Sequence, residues 1–277
     1  MRVSILSFNH PQLTLKCVKS VLAHVAPEQI ILTHNGSRKE NVDLLINEFP
    51  NIKHLILESN RGYSGGVNAS LSNAFRESPW VFFVTNDCEL LNAPTIPLNP
   101  GFFAPTLFRR KVDKIDSLGG LFTPLTGRLL HIRESSYAKK VTEKSPPFRF
   151  DINRFRFFYV PGTAFYLHSD VFNMTGPFDE SLHTYWEDVD YSMRVRKLGL
   201  SIGIHLETQL IHKVGKTCHK DPFYTNILFK RNRKTISAKY TPYLLHPLQS
   251  VLLKDREKNR KSHKTEGQVT EQKDKIC

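Results

Sequence analysis

The chain has 277 residues, and its 39 Lys and Arg against 26 Asp and Glu give a net charge of +13. This length can bury a full core, and an apolar content of 40% is ordinary for a globular protein. No run of about 18 apolar residues occurs, so a membrane-spanning helix is excluded from the expectations. The four cysteines fit no zinc spacing and indicate free thiols, and no signal-peptide pattern opens the chain. The expected compartment is the cytoplasm.

The basic charge of the chain points to anionic partners such as nucleotide phosphates, nucleic acid or an acidic membrane surface. No known nucleic-acid motif accompanies the charge, so nucleic acid is not expected as a partner. From Lys254 onward the chain carries eight Lys or Arg, five Asp or Glu and almost no large apolar residue. That composition predicts a disordered tail over 254–277.

Apolar strands alternate with helices through the first 91 residues. The helices are predicted from the stripe of Leu15, Val18, Leu22 and Val25 and from residues 41–49. The strands are predicted at 3–8, 29–33, 52–58 and 80–87. An alternation of about 25 to 30 residues predicts a parallel α/β sheet, whose ligands bind at the carboxyl ends of the strands. Polar clusters follow the strands at Ser7–Asn9, His34–Ser37, Asn60–Asn68 and Thr85–Glu89.

The pattern is weaker in the second half of the chain. Residues 92–150 are rich in Pro and Gly and predict an insertion with short strands. Residues 161–172 predict a turn, a strand and a helix start, residues 200–215 two short strands, and residues 223–239 a helix. We therefore expect one domain over 1–253, with a nucleotide-binding half to about 91, an acceptor and catalytic half to about 216, and a helical segment to 253.

An acidic stretch, "TYWEDVDYSMRVRKLG", opens a helix between Thr184 and Gly199. A purely structural interpretation makes Thr184 and Glu187 a capping box, Asp190 and Arg194 a surface pair and Gly199 the C-terminal stop. A chemical interpretation assigns a catalytic role to one of the carboxylates. The stretch alone leaves both interpretations open.

Three further motifs are equally two-sided. "NRGYSGGVN" (60–68) is typical of a glycine loop that approaches a phosphate, or of a tight turn. "TND" (85–87) ends an apolar strand, where Asp87 can bind a divalent metal or simply terminate the strand. His212 also ends an apolar strand, and a lone histidine there is more often structural than a ligand.

The order of these motifs resembles that of the family 2 glycosyltransferases with the GT-A fold, especially bacterial rhamnosyltransferase-like members. The resemblance runs from about Val3 to Lys216, includes "GPFDESL" (176–182), and has a looser match in "FYTNILFKRN" (223–232). It implies a mostly parallel nucleotide-binding sheet flanked by helices, with an acceptor-side subregion.

The resemblance also implies site residues. A general base would be Asp188, the metal ligands for Mn²⁺ or Mg²⁺ would be Asp87 and His212, and the acceptor would lie against Tyr185, Trp186 and Glu187. The nucleotide-sugar would be held by strand ends and the glycine motif, at Ser7, Asn9, His34, Asn35, Asn60, Gly62, Gly65, Gly66, Asn68 and Asn86. Two positions depart from the family pattern, because His34 and Thr85 stand where acidic residues are common.

The expected function is that of an inverting hexosyltransferase. It would move a sugar from a UDP- or dTDP-sugar to a hydroxyl of a glycan or lipid-linked acceptor, in cell-envelope polysaccharide synthesis. The enzyme would be cytoplasmic, with peripheral contact at the inner face of the cytoplasmic membrane. His34 and Thr85 favour one alternative, a degenerate protein that binds nucleotide-sugars without turnover. The basic "KRNRK" (230–234) and the tail favour another, a membrane-surface binding protein.

Overall fold

The computed structural model describes residues 1–109, 115–133, 156–213, 222–250 and 252–253. The predicted tail and most of the basic stretch around 135–155 lie outside these residues, as do Cys218 and Cys277. Cys17 and Cys88 are free, as the sequence predicts, and both are buried. Among the described residues, no helix combines the length and apolar character needed to cross a membrane.

The first half of the chain folds as the alternation predicts. Its elements are β1 (Arg2–Ser7), α1 (Pro11–Leu22), β2 (Ile30–Asn35), α2 (Lys39–Glu48), β3 (Lys53–Leu57), α3 (Gly62–Ala74) and β4 (Trp80–Thr85). The strands pair in parallel in the order β3-β2-β1-β4. β2 is buried throughout, because helices cover both faces of the sheet.

The second half extends this sheet and adds a small one. Its elements are β5 (Cys88–Leu90), β6 (Phe102–Arg109), β7 (Ile115–Ser117), β8 (Gly120–Thr123), β9 (Arg128–His131), β10 (Phe158–Tyr159), β11 (Ala164–His168), α4 (Ser169–Thr175), α5 (Glu187–Lys197), β12 (Ile202–His212) and α6 (Pro222–Tyr240). The main sheet has the order β3-β2-β1-β4-β11-β6-β12-β5, with β7 beside β6, and β10-β8-β9 form the second sheet. The predicted α/β class is confirmed.

Two predictions about strands need correction. Residues 102–109, expected within a variable insertion, form a central strand whose Phe102 and Ala104 are buried. Pro105 obscured this strand, since proline has no N–H to give to a sheet. The two short strands expected over 200–215 are one strand with a bulge between His205 and Gln209, directly opposite Pro105. The bulge lets the β6–β12 ladder continue past the proline.

Helix starts also differ from the predictions. The glycine motif leads into a helix as predicted, but its glycines are not in a loop, because α3 begins at Gly62 and contains Gly65 and Gly66. The predicted capping box does not form, since the residue before α5 is Trp186, at a φ of 75°, and no side chain caps the helix. At the other end, Gly199 has a φ of 69° and stops α5 as predicted.

Candidate active site

A cavity of about 360 Å³ opens at the carboxyl ends of β1, β2 and β4. Nine of the sixteen residues predicted for the site line it, namely Asn35, Asn60, Gly62, Asn86, Asp87, Tyr185, Glu187, Asp188 and His212. Binding at this edge is the general behaviour of such sheets. Sequence reasoning missed other wall residues, among them Leu6, Tyr63, Gly162, Thr163 and Thr184.

A network of amides shapes the wall between β2 and α3. The Asn35 Nδ2 donates to the carbonyl of Gly62 at 2.8 Å and to Asn60 Oδ1 at 3.2 Å. In return, the Asn35 Oδ1 accepts the N–H of Arg61 at 3.0 Å. A Cβ at Gly66 would lie 2.8 Å from Asn35 Nδ2, so only glycine lets the helix approach this side chain. Gly66 is therefore a packing residue that supports Asn35 rather than a wall residue.

His34 lies in the core and not on the cavity wall, which corrects its predicted contact with the nucleoside. Its side chain is fully buried and stacks on His54, with 2.9 Å between His34 Nε2 and His54 Nδ1. Burial, and next the neighbouring His54, lower the pKa of His34 to about 4. The side chain is therefore neutral, and it packs where the family commonly has an acid.

Other predicted nucleotide contacts serve the scaffold. The Ser7 hydroxyl pairs with that of Thr14 at 2.8 Å. Asn9 Oδ1 accepts the N–H of Arg38, and Asn68 donates to and accepts from the backbone of Phe178. None of these three residues lines the cavity. Gly65 lies against the side chain of Arg61, outside the wall.

Trp186 also needs correction as an acceptor platform. Only 2% of its surface is exposed, and its ring packs against Phe122 and Phe229 at centroid distances of 5.8 and 5.5 Å. The neighbouring Tyr185 is half-buried, and it lines the cavity. One ring of the predicted aromatic pair is therefore available to a ligand, while the other anchors the turn to the core.

The two predicted metal ligands meet at one end of the cavity. Asp87 follows β4, His212 ends β12, and Asp87 Oδ2 lies 3.6 Å from His212 Nε2. Ligand atoms at this spacing can share an ion that each binds at about 2.0–2.2 Å. The described residues contain no group of three or more His, Cys, Asp or Glu arranged around a metal position. The pair suits an ion whose remaining ligands come from a bound diphosphate and water.

Asp116 is a partner of this pair that sequence reasoning missed. The Asp116 Oδ2 lies 3.3 Å from His212 Nδ1 and can fix the orientation of the ring, as carboxylates often do for metal-binding histidines. Burial lowers the pKa of His212, but hydrogen bonds to Asp116 and Asp87 and their charges outweigh it and raise the pKa to about 9. Asp116 lies in the segment without periodicity, so no sequence signal marked it.

Thr85, the apparent defect in the acidic motif, supports Asp87. The Thr85 hydroxyl donates to Asp87 Oδ1 at 2.6 Å, which leaves Oδ2 directed at His212. A residue that departs from the family pattern therefore orients the carboxylate that remains.

The acidic pair, Glu187 and Asp188, lines the same cavity. Asp188 Oδ2 accepts the N–H of Gly162 at 3.0 Å, and Oδ1 accepts the N–H of Val189 at 2.8 Å. Burial raises the pKa of Asp188 against these backbone donors. Burial and then the charge of Asp188 raise the pKa of Glu187, whose Oε2 is buried with no hydrogen-bond partner among the described residues.

Asp190, the third carboxylate of the stretch, has a structural role. It is fully buried and pairs with Arg194 at 2.9 Å and with Lys239 of α6 at 2.7 Å. The predicted spacing with Arg194 is confirmed, but the pair is not on the surface. Asp190 fastens α5 to α6.

Comparison with known proteins agrees with the predicted resemblance. Residues 3–95 match the family model "Glycosyl transferase family 2". No curated protein matches the chain in sequence. The crystal structure of GalNAc-T7 with UDP, GalNAc and Mn²⁺ is 14% identical, with a TM-score of 0.58 over 76% of this chain and 43% of that one. This chain therefore spans less than half of the length of GalNAc-T7.

Two structures of S. aureus TarS residues 1–349 are also similar. The first is 14% identical, with a TM-score of 0.54 over 91% of this chain and 69% of that one. The second, in complex with UDP, is 13% identical, with a TM-score of 0.52 over 91% and 70%. These likenesses establish the fold. The resemblance to family 2 glycosyltransferases and the GT-A fold are confirmed, while the rhamnosyltransferase-like branch stays a prediction.

Proposed function

We propose that the chain is an inverting glycosyltransferase that moves a sugar from a nucleoside-diphosphate-sugar to a hydroxyl of an acceptor. One observation carries this proposal. Side chains suited to three separate tasks line a single cavity: Asn35 and Asn60 for the nucleoside, Asp87 and His212 for a metal ion, and Asp188 for the proton. A core of purely structural polar residues would have no reason to gather at the one edge of the sheet where ligands bind.

The donor side is the edge of β1, β2 and β4. The related structures contain UDP, which favours a UDP- or dTDP-sugar as donor. Asn35 and Asn60 present amides already fixed by the network with Gly62. Asn86 lies with them in the cavity wall. The donor would therefore bind to side chains that need little reordering.

Asp87 and His212 would hold Mn²⁺ or Mg²⁺. Such an ion neutralises charge that develops on a leaving diphosphate. Hydrogen bonds from Thr85 to Asp87 and between Asp116 and His212 fix the orientation of the two ligands. An imidazole in the ligand set favours Mn²⁺ over Mg²⁺, since Mg²⁺ prefers oxygen.

Asp188 would take the proton from the acceptor hydroxyl while the hydroxyl oxygen forms the bond to the anomeric carbon and the nucleoside diphosphate leaves. A positioned base of this kind contributes about 10² to 10⁴ in rate. Burial raises the pKa of Asp188 and makes it a better proton acceptor than an exposed aspartate. A single displacement by an acceptor held opposite the leaving group inverts the configuration of the sugar. Tyr185 and Glu187, beside Asp188 in the wall, would contact the acceptor.

Thermal shift tests the donor proposal. A ligand at about 100 times its Kd stabilises the folded state by about 2.7 kcal/mol, enough to raise the melting temperature by several degrees. We expect such a rise with at least one UDP- or dTDP-sugar in the presence of Mn²⁺, and little rise with the sugar-nucleotide alone. Asn35→Ala should lose the shift. If no sugar-nucleotide raises the melting temperature with the metal present, the proposal fails.

The acceptor would be a glycan or a lipid-linked sugar of the cell envelope, reached at an anionic membrane. Tyr243, Leu244 and Leu248 follow α6 and are 84%, 89% and 50% exposed. In the sequence they precede residues 254–264, which contain six Lys or Arg and two Asp or Glu. Apolar side chains beside basic residues suit an anionic bilayer, where each Lys or Arg contributes about 1 kcal/mol.

Vesicle sedimentation tests this contact. We expect the protein to sediment with phosphatidylcholine vesicles that contain phosphatidylglycerol, and to remain in solution with phosphatidylcholine alone. The pair Leu244→Glu and Leu248→Glu should abolish sedimentation. Ile96→Glu with Leu98→Glu, also at exposed apolar positions, is the matched control and should leave it unchanged. Sedimentation that survives the first pair would refute the contact.

A further inference from the structure

The turn that leads into the acidic pair is strained. His183, Tyr185 and Trp186 have φ values of 59°, 71° and 75°, in the left-handed region that side chains other than glycine rarely adopt. Three such residues within four positions will not persist unless surrounding contacts hold them. Asp188 follows two residues after the last of them, so the conformation of this turn sets where its carboxylate points.

One buried amide holds the turn. Asn232, on α6, is fully buried, and its Nδ2 lies 2.7 Å from the carbonyl oxygen of Leu182 and 2.9 Å from those of Thr184 and Tyr185. Its two N–H groups are thus shared among three carbonyls of one short segment. The Asn232 Oδ1 accepts from Arg231 Nε at 2.8 Å, which fixes the amide in this orientation.

The same turn is also fastened from the donor side. The N–H of Ser64, on α3, donates to the carbonyl of His183 at 3.1 Å. Beyond the turn, Lys239 and Tyr240 of α6 bond to the buried Asp190. The segment that carries Tyr185, Glu187 and Asp188 is thus held between α3 and α6, and Asn232 makes the largest number of these contacts.

We propose that Asn232 is a positioning residue for transfer, which holds the turn at 182–186 so that Asp188 and Tyr185 keep their places in the cavity wall. This inference rests on the proposed function of Asp188. It also gives a role to residues 223–232, the looser part of the resemblance to family 2 glycosyltransferases, which the donor and metal sites do not use. None of the hydrogen bonds that Asn232 makes is to a donor-side amide or a metal ligand, so its loss should act on turnover and spare donor binding.

The test compares Asn232→Ala with Ser237→Ala. Ser237 lies on the same helix and is equally buried, which makes it a matched control. We expect Asn232→Ala to lower kcat by tenfold or more, because small misplacements of reacting groups cost about 10²-fold. The Kd for the donor and the Mn²⁺ midpoint should stay within about twofold. Ser237→Ala should leave all three quantities unchanged. A kcat within twofold of wild type in Asn232→Ala would overturn the proposal.

A second readout does not depend on turnover. The chain has two tryptophans, and in a Trp80→Phe background Trp186 reports on the turn alone. We expect Asn232→Ala to shift the emission of Trp186 to longer wavelength, because a released turn admits water to the ring. Unchanged emission would overturn the proposal. If wild type bound donors without turnover, the proposed function would fail, and this emission would still show whether Asn232 holds the turn.

Should Asn232→Ala not fold, Asn232→Ser, which keeps a small polar side chain at this position, takes its place. We expect the same separation, with a reduced kcat and an unchanged donor Kd. A fall in donor affinity as large as the fall in kcat would indicate general loss of structure, and would overturn the specific role.

Discussion

The donor edge and the acceptor edge of the cavity are held in place by different kinds of contact. On the donor edge, Asn35 ends β2 and Asp87 follows β4, and each of these strands is hydrogen-bonded to a neighbour on both sides, β2 to the parallel β1 and β3, and β4 to the parallel β1 and the antiparallel β11. On the acceptor edge, Tyr185 and Asp188 lie on a strained turn and a helix start that side chains hold from positions about 50 residues later. A residue on the donor edge is therefore placed by its own strand, whereas Asp188 depends on distant residues for its place.

The comparison predicts separable effects. Changes on the donor edge should alter binding of donor and metal, and changes on the acceptor edge should alter turnover. His212 and Asp87 join the two halves of the chain, because β12 belongs to the second half and β4 to the first. Changes at Asp87 or His212 should therefore alter both donor binding and turnover.

The largest effect is expected for Asp188→Asn. The amide keeps the shape of the side chain but cannot accept a proton, so kcat should fall by about 10² or more. The donor Kd, measured by calorimetry, should stay within about twofold. Asp170→Asn, at an exposed position on α4, is the control and should behave as wild type. A kcat for Asp188→Asn within tenfold of wild type would show that Asp188 is not the general base.

A smaller effect is expected at the metal pair. Asp87→Ala and His212→Ala should each raise the Mn²⁺ concentration for half-maximal activity about tenfold or more. The loss of metal-binding free energy in the double variant should be smaller than the sum of the losses in the two single variants, because groups that act on one ion are not independent. His205→Ala changes another histidine of β12 that pairs with a carboxylate, Glu207, and should leave the midpoint unchanged. An unchanged midpoint in His212→Ala would make that histidine purely structural.

The pH dependence should sharpen the assignment of the two neighbouring carboxylates. Burial raises the pKa of Asp188, so this carboxylate loses its charge at a higher pH than an exposed aspartate does. As the pH is lowered, kcat should therefore begin to fall above the ordinary aspartate pKa of about 4. Burial, and not the charge of Glu187, is what raises the pKa of Asp188. Glu187→Gln should therefore leave the acid limb of the kcat profile in place and kcat within a few-fold of wild type. A limb displaced by more than about one pH unit in Glu187→Gln would contradict this cause.

The smallest effect is expected from truncation after residue 253. The removed residues hold almost no large apolar side chain with which to join a core. Melting temperature and turnover in solution should be unchanged, whereas binding to anionic vesicles should weaken. A large drop in melting temperature would show that the tail packs on the domain.

The sequence placed both edges of the cavity, but it did not show which side chains face the cavity or how the turn before Asp188 folds: four of the ten residues predicted for the donor line the cavity, against three of the four predicted on the acceptor side. Continuous apolar runs predict strands such as β2 and β4, and the residues at their carboxyl ends must lie at the ligand-binding edge. The left-handed turn before Asp188 has no glycine to mark it, so the capping-box prediction failed. The burial of Trp186 and the contact of Asp116 with His212 depend on residues far along the chain. No local pattern encodes them.

Turnover of the donor by the wild-type protein is the most direct test of the central claim. Release of nucleoside diphosphate should be measured over a panel of UDP- and dTDP-sugars with Mn²⁺, and again with EDTA. We predict that at least one donor is consumed, slowly by water and faster with an acceptor glycan, and that EDTA stops the release. If donors bind in the presence of Mn²⁺ and none is consumed, the chain is a nucleotide-sugar-binding protein and not a transferase.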